Sequence, residues 1–135
     1  MRNILRFLTL ATIVAAFPGH SSAQGSAPRA PGERVTYQNP VDGTILSGTL
    51  LVPEGEGPFP GVVLLTLAGA DELVGGLNRL GWAVLYPVRR GMGTPEHLLQ
   101  ASFQDLSDDV RAAAEFLRSR PEVDGEVVGI VAQGG

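Results

Sequence analysis

The sequence has 135 residues, of which 44% are hydrophobic, and this is enough for one domain with a hydrophobic core. Its formal charge of −4 argues against recognition of nucleic acid through a basic surface. It contains no cysteine, which excludes disulfide bonds, a thiolate nucleophile and cysteine ligands to zinc.

The N terminus has the pattern of a secretory signal peptide. Arg2 and Arg6 supply positive charge, residues 7–17 form an apolar segment, and Ser21–Ala23 offers small residues for cleavage. We therefore expect cleavage before Gln24 and export to the periplasm or to the outside of the cell. The alternative is a membrane anchor, which is disfavoured because the apolar segment is shorter than the ~20 residues needed to span a bilayer.

A linker and a hairpin follow the predicted signal peptide, which occupies residues 1–23. Residues 24–34 are rich in proline, glycine, serine and alanine without periodicity, which is typical of a flexible linker. Structure is then expected over residues 35–135 as one α/β domain. Its first two segments, Val35–Gln38 and Thr44–Val52, are prone to form strands and flank an Asp-Gly pair, which is typical of an antiparallel hairpin.

Beyond the hairpin the pattern alternates between apolar strands and helices, which indicates a parallel sheet with crossover helices. The predicted elements are a loop at Pro53–Pro60, a strand at Gly61–Thr66, a helix at Asp71–Leu80, a strand at Trp82–Val88, a helix at Phe103–Arg120 and a strand at Val127–Ala132. The three strands are expected to be buried. Gly81 is expected to end the first helix.

The second predicted helix is the most clearly amphipathic element. Apolar residues recur at spacings of three and four, which predicts one buried stripe. The stripe consists of Phe103, Leu106, Val110, Ala113 and Leu117. Ser102 and Asp105 have the spacing of a capping pair. Asp105, Asp108 and Asp109 are interpreted as first-turn charges and a solvated helix face, and no metal site is predicted from them.

Two segments carry a resemblance to a known family. They are GWAVLYPVRRGMG and FQDLSDDVRAAAEFLRSRPEVDGEVVGIVAQGG, separated as in that family. With the preceding hairpin, they resemble the N-terminal half of an α/β-hydrolase, especially the dienelactone-hydrolase-like and secreted peptidase-like members. The resemblance spans Val35–Gly135. It implies an incomplete α/β sheet, and a serine hydrolase that acts on ester, lactone or peptide bonds without a cofactor.

The resemblance also implies which positions of this sequence correspond to the catalytic groups of the family. In this family the last predicted strand leads into a Gly-x-Ser-x-Gly turn that carries the nucleophile. That position falls at Gly134 without gaps, or at Ala132 if two residues are deleted, so no catalytic residue is identified. Backbone N–H groups of Ala68 and Gly135 are the candidates for the oxyanion hole. The acid and histidine of the triad would follow the serine, and His97 is expected to be merely solvated.

Arg89 and Arg90 follow the second predicted parallel strand, at the edge of the sheet where ligands bind in this class of fold. Their guanidinium groups have the geometry to bind a substrate carboxylate. The alternative, which we favour, is that they bind neighbouring carboxylates or water.

Two functions remain open for the 135-residue chain. The first is a serine-type hydrolase for small-molecule esters or peptides, inactive in the chain as given because the nucleophile is missing. The second is a non-catalytic module that binds a partner through a sheet edge. In the family the strand at Val127–Ala132 is interior, so this chain would leave its edge unpaired and open to self-association.

Overall fold

The computed structural model describes residues 32–66, 70–90 and 101–133, which form one five-stranded sheet with two helices. The elements are β1 (Glu33–Gln38), β2 (Ile45–Leu51), β3 (Phe59–Thr66), α1 (Ala70–Arg79), β4 (Ala83–Pro87), α2 (Phe103–Ser119) and β5 (Val123–Gln133). The predicted signal peptide and most of the predicted linker lie outside these residues. Within them, none of the helices has the length and apolar character needed to cross a membrane.

The strands follow the order β1-β2-β4-β3-β5. β1 and β2 form the predicted antiparallel hairpin, and β2 is antiparallel to β4. β3 is parallel to both β4 and β5. The chain therefore passes from β3 to β4 on one side and then back across β3 to β5 on the other. This arrangement confirms the predicted fold class, a hairpin followed by parallel strands with crossover helices.

The two helices cover opposite faces of the sheet. Along β3, Val63 belongs to the core beneath α2, whereas Val62 and Leu64 belong to the core beneath α1. The alternation follows from the two-residue period of a strand. The helical residues buried most deeply are Val74 of α1 on one face, and Ala113 and Leu117 of α2 on the other. The prediction of strands buried on both faces is thus confirmed for β3 and β4.

Local signals in the sequence set several turns and caps. Gly43 in the hairpin turn and Gly81 after α1 adopt φ of 75° and 91°, which favour glycine. Ser102 and Asp105 form the predicted capping box at the start of α2. These features are confirmed. They were predictable because each depends on residues only a few positions apart.

Three of the five strands, β1, β3 and β5, begin earlier than predicted, whereas β2 and β4 each begin one residue later. β1 begins at Glu33, which pairs with Leu50 and whose carboxylate lies 3.0 Å from Arg120. β3 begins inside the predicted loop, because the N–H of Phe59 donates to the Glu122 carbonyl at 2.9 Å. β5 begins at Val123, and a register shift then separates its first residues from the regular ladder that starts at Val128.

Two predictions of burial are wrong. Phe103, placed on the buried stripe of α2, is 92% exposed, since burial along this helix begins only at Asp108, one turn further on. Val127–Ala132, predicted to be a buried run, is largely solvent-facing. Burial on both faces needs a neighbour on each side, and among the described residues β5 pairs only with β3. Its parallel direction is as predicted.

Candidate functional site

The carboxyl ends of β3 and β5 lie side by side at one end of the parallel strands. Thr66, the last residue of β3, pairs with Gln133, the last residue of β5. The strand order reverses around β3, and in open α/β sheets ligands bind outside the carboxyl ends of the strands at such a reversal. The segments that follow Thr66 and Gln133 in the sequence therefore leave the sheet from neighbouring points.

A small cleft lies at the same end of the strands, on the face of the sheet that α2 covers. Its volume is about 50 Å³, which is enough for roughly four water molecules or one small alkyl group. The lining is mostly apolar, with a few polar side chains on one side. It consists of Tyr37, Leu46, Leu65, Pro87, Val88, Arg89, Arg90, Leu106, Asp109 and Val110.

Arg90 lines this cleft beside Asp109 and also binds a second carboxylate, that of Asp42. Its Nε donates to Oδ2 of Asp109 at 2.9 Å, and its Nη2 donates to Oδ1 at 2.6 Å. Its Nη1 donates to Oδ2 of Asp42 at 2.7 Å. Paired N–H groups on one carboxylate form the strongest kind of arginine contact in proteins. Asp42 lies in the hairpin turn and Asp109 lies in α2. Arg90 therefore connects the end of β4 to the hairpin turn and to α2.

Asn39 completes these contacts, and we call Asn39, Asp42, Arg90 and Asp109 the Arg90 network. The Asn39 side chain is 1% exposed, and its Nδ2 donates to Oδ1 of Asp109 at 2.7 Å. Its Oδ1 accepts the N–H of Val41 at 2.9 Å. Asp109 was interpreted above as part of a solvated helix face, and this is wrong. Its partners lie 19 and 70 residues away, so no local pattern reveals them.

Asp108 was also interpreted as solvated, and it is buried instead. Its carboxylate accepts hydrogen bonds from Nε2 of Gln104, at 3.2 and 3.3 Å, and lies 3.8 Å from Arg111. These partners are one turn away on the same helix. Within residues 32–66, 70–90 and 101–133, no group of three or more histidine or acidic side chains is placed to hold a metal ion. His97 lies outside these residues.

The network shifts the pKa values of Asp42 and Arg90, and the pKa of the neighbouring Tyr37 is also shifted. The hydrogen bond from Arg90 lowers the pKa of Asp42 to about 2, and the hydrogen bonds from Arg90 to Asp109 raise the pKa of the guanidinium. Burial, with a smaller contribution from the charge of Asp109, raises the pKa of Tyr37 to about 12. Arg90 therefore carries its charge throughout the accessible pH range, and Tyr37 remains a neutral hydroxyl at neutral pH.

The Asp42 contact should make stability depend on pH. Its folded pKa of about 2 lies below the ordinary value of 3.8, so its contribution is complete above pH 3.8 and is lost as the pH falls through about 2. We expect Asp42→Asn to reduce stability near neutral pH and to weaken the loss of stability between these two values. Urea unfolding at a series of pH values measures both. Glu54→Gln, in the exposed loop before β3, is the control, and an equal change in both variants would contradict the assignment.

The two arginines proposed as substrate contacts differ in their surroundings. Arg89 is exposed at the cleft, whereas three N–H groups of Arg90 point at Asp42 and Asp109. For Arg90 the geometry favours the alternative, in which the guanidinium binds carboxylates of the protein itself. Contact between either side chain and a substrate remains a prediction.

Solved structures of hydrolases share this arrangement of strands and helices. A dienelactone hydrolase-like promiscuous phosphotriesterase, P91, from metagenomic libraries is 26% identical with a TM-score of 0.59, over 75% of this chain and 48% of that one. The α/β hydrolase GrgF from Penicillium sp. sh18 is 16% identical with a TM-score of 0.65, over 76% and 37%. The thermophilic esterase Est2 from the Planctomycetes species Thermogutta terrifontis, in its butyrate-bound form, is 16% identical with a TM-score of 0.61, over 77% and 41%.

The chain has part of the α/β-hydrolase fold. It spans between 30% and 48% of the length of the similar hydrolase structures. No family model matches the sequence, and no curated protein does. The likeness therefore rests on the fold and on the sequence motifs described above.

In an α/β-hydrolase, the turn after β5 carries the nucleophile, and the loop after β3 supplies one oxyanion N–H. Ala68, Gly134 and Gly135, the residues proposed for these positions, lie outside the described residues. Ala132, the other candidate for the nucleophile position, is part of β5, where it pairs with Leu65 and is exposed. Its methyl side chain supplies neither a nucleophile nor a proton-transfer group.

Proposed function

We propose that this chain is part of an exported α/β-hydrolase that cleaves ester, lactone or peptide bonds by acyl transfer. The observation that carries the proposal is the adjacency of the carboxyl ends of β3 and β5, at Thr66 and Gln133. This is where the fold places the attacking group and the oxyanion donors. Similar structures described as dienelactone hydrolase-like and as an esterase support this choice of bonds. The signal-like pattern before Gln24 supports export.

We further propose that the 135-residue chain does not itself catalyse hydrolysis. Acyl transfer in this fold requires a side-chain hydroxyl or thiol at the turn after β5. Residues 129–135 contain no serine, threonine or cysteine. Oxyanion donors alone polarise a carbonyl but do not form an acyl-enzyme. The chain would then supply the framework and one wall of the site.

A direct test uses the purified chain with p-nitrophenyl butyrate and with a fluorophosphonate probe, which labels activated serines covalently. We expect no hydrolysis above the buffer blank and no adduct by intact-mass spectrometry, because residues 129–135 supply no hydroxyl or thiol nucleophile. An active esterase assayed in parallel controls for both reagents. Turnover above the blank that disappears in His97→Ala would contradict the proposal. The same mass spectrum tests export, since the exported chain should begin at Gln24.

The hydrolase itself is tested with the DNA that encodes the chain. We expect the reading frame in the source DNA to continue beyond Gly135 and to encode further apolar strands, an acid and a histidine. A chain that includes them should react with the esters. A stop codon at that point, together with a stable and monodisperse 135-residue protein, would instead favour the non-catalytic module.

A further inference from the structure

Two arginines line the cleft on the α2 face, and they differ in their partners. Arg90 binds the carboxylates of Asp42 and Asp109. Arg89 is exposed at the cleft, and among the described residues no hydrogen bond or ion pair joins its side chain. Because the carboxylates of the network are committed to Arg90, the guanidinium of Arg89 can bind a negative group of a ligand.

The rest of the cleft lining is predominantly apolar. Its apolar residues come from β2, β3 and α2 and from the end of β4, so packed elements of the fold set the walls. They are Leu46, Leu65, Pro87, Val88, Leu106 and Val110. A ligand that enters the cleft therefore needs an apolar part, because a polar group placed against these walls would lose its hydrogen bonds to water.

The volume of the cleft limits that apolar part to a few carbon atoms. An engineered cavity of ~150 Å³ in another protein holds benzene, which has six carbons. The cleft has a volume of about 50 Å³, one third of that cavity. On this scale it accepts a group of roughly two or three carbons, such as the isopropyl group.

The contact with Arg89, and not the overall charge of the cleft, favours an anion. Arg89 and Arg90 balance the charges of Asp42 and Asp109. A carboxylate has two oxygens that can each accept an N–H of a guanidinium, whereas an amide has one and an amidinium has none. At an exposed side chain such an ion pair changes affinity by roughly two- to fivefold.

We propose that the cleft binds short aliphatic carboxylates, with the carboxylate on Arg89 and the alkyl group against the apolar walls. Isobutyrate has the required composition, a carboxylate attached to an isopropyl group. The proposal goes beyond hydrolysis and does not rest on the proposed function, because binding requires no nucleophile. It uses only residues that the structure describes.

Three molecules of nearly the same shape test the charge of the ligand. Isobutyrate is negative, isobutyramide is neutral and isobutyramidine is positive at neutral pH. Each is titrated into the ¹⁵N-labelled 135-residue chain at low ionic strength, while NMR follows the backbone amides of Val88, Arg89 and Val110. We expect isobutyrate to bind roughly two to five times more tightly than isobutyramide, and isobutyramidine to bind most weakly.

Salt and chain length separate the two parts of the contact. In 1 M salt the advantage of isobutyrate over isobutyramide should disappear, because the Debye length falls to about 3 Å. Acetate, which has a methyl group in place of the isopropyl group, should bind more weakly than isobutyrate at either salt concentration. The expected loss is roughly fourfold for each carbon that is no longer buried.

Arg89→Gln should reduce the affinity for isobutyrate to that for isobutyramide and leave the affinity for isobutyramide unchanged. A variant that merely disturbed the fold would weaken both. Arg79→Gln removes an exposed arginine from α1, on the opposite face of the sheet, and is the matched control. Val110→Phe should weaken both ligands by filling the cleft, and Arg89→Gln still tests the proposal if the phenylalanine variant does not fold.

Three results would overturn the proposal. One is equal affinity for isobutyrate and isobutyramide at low ionic strength. Another is the same effect of Arg89→Gln and Arg79→Gln on the binding of isobutyrate. The third is an unchanged spectrum with all three ligands, which would mean that the protein itself fills the cleft. None of these results bears on hydrolysis, which the ester and the fluorophosphonate probe measure separately.

Discussion

Replacing Leu117 with alanine should lower the free energy of unfolding by roughly 2–5 kcal/mol, the usual cost of a buried leucine-to-alanine change. Leu117 is fully buried in the core between α2 and the sheet, in the same hydrophobic cluster as Val63 and Leu85. Removing it leaves a cavity that the parallel strands cannot close. Urea unfolding followed by circular dichroism measures the loss.

Glu115→Ala is the matched control for this change, since Glu115 is exposed on the same helix and should cost less than about 0.5 kcal/mol. The contact with Gly61 gives a second check. A Cβ at Gly61 would lie 2.9 Å from Cδ2 of Leu117. Gly61→Ala should therefore be tolerated better in the Leu117→Ala background than alone. Equal losses for Leu117→Ala and Glu115→Ala would show that α2 does not pack as described.

Asp109→Asn should lower the free energy of unfolding by roughly 1–3 kcal/mol, the typical penalty when a buried polar partner is lost. The carboxylate accepts two hydrogen bonds from Arg90 and one from Asn39. An amide of the same size offers one oxygen to these donors and turns its own N–H₂ group toward them. Urea unfolding at neutral pH measures the loss.

Glu115→Gln, on the exposed face of the same helix, is the control for removing a negative charge from α2. Arg90→Lys should also destabilise, because an ammonium cannot make the paired contact with one carboxylate. In the double variant, the losses of unfolding free energy caused by Asp109→Asn and Arg90→Lys should not be additive, since both changes disrupt the same hydrogen bonds. Additive losses would mean that Arg90 and Asp109 act independently, contrary to the geometry.

Sequence reasoning succeeded where a few neighbouring residues decide the structure. The Asp-Gly turn at Gly43, the capping pair of Ser102 and Asp105, and the end of α1 at Gly81 were all predictable. The apolar segments that became β3 and β4 were also recognisable, because strands covered on both faces contain nearly continuous apolar residues. The resemblance to α/β-hydrolases came from the longer motifs and is consistent with the similar structures.

Several of the predictions that failed depend on contacts between distant parts of the chain. The partly buried carboxylate of Asp109 accepts a hydrogen bond from Asn39, which is 70 residues away. The exposure of Ile130 depends on the strand order, because β5 pairs only with β3 among the described residues, whereas the same apolar segment would be buried between two strands. For the candidate site, the motifs indicate where the nucleophile belongs. Sequence reasoning also favoured neighbouring carboxylates as the partners of Arg90, but it did not identify Asp42 and Asp109 as those carboxylates.

The Arg90 network also discriminates between alternative alignments of the hairpin on the sheet. Sliding β2 along β4 by one residue would turn its core side chains toward the opposite face. A slip of two residues keeps the faces but moves the hairpin turn by about 7 Å. Asp42 would then leave Arg90, and Asn39 would leave Asp109. Such polar contacts can select a unique native topology during folding even when their net contribution to stability is modest.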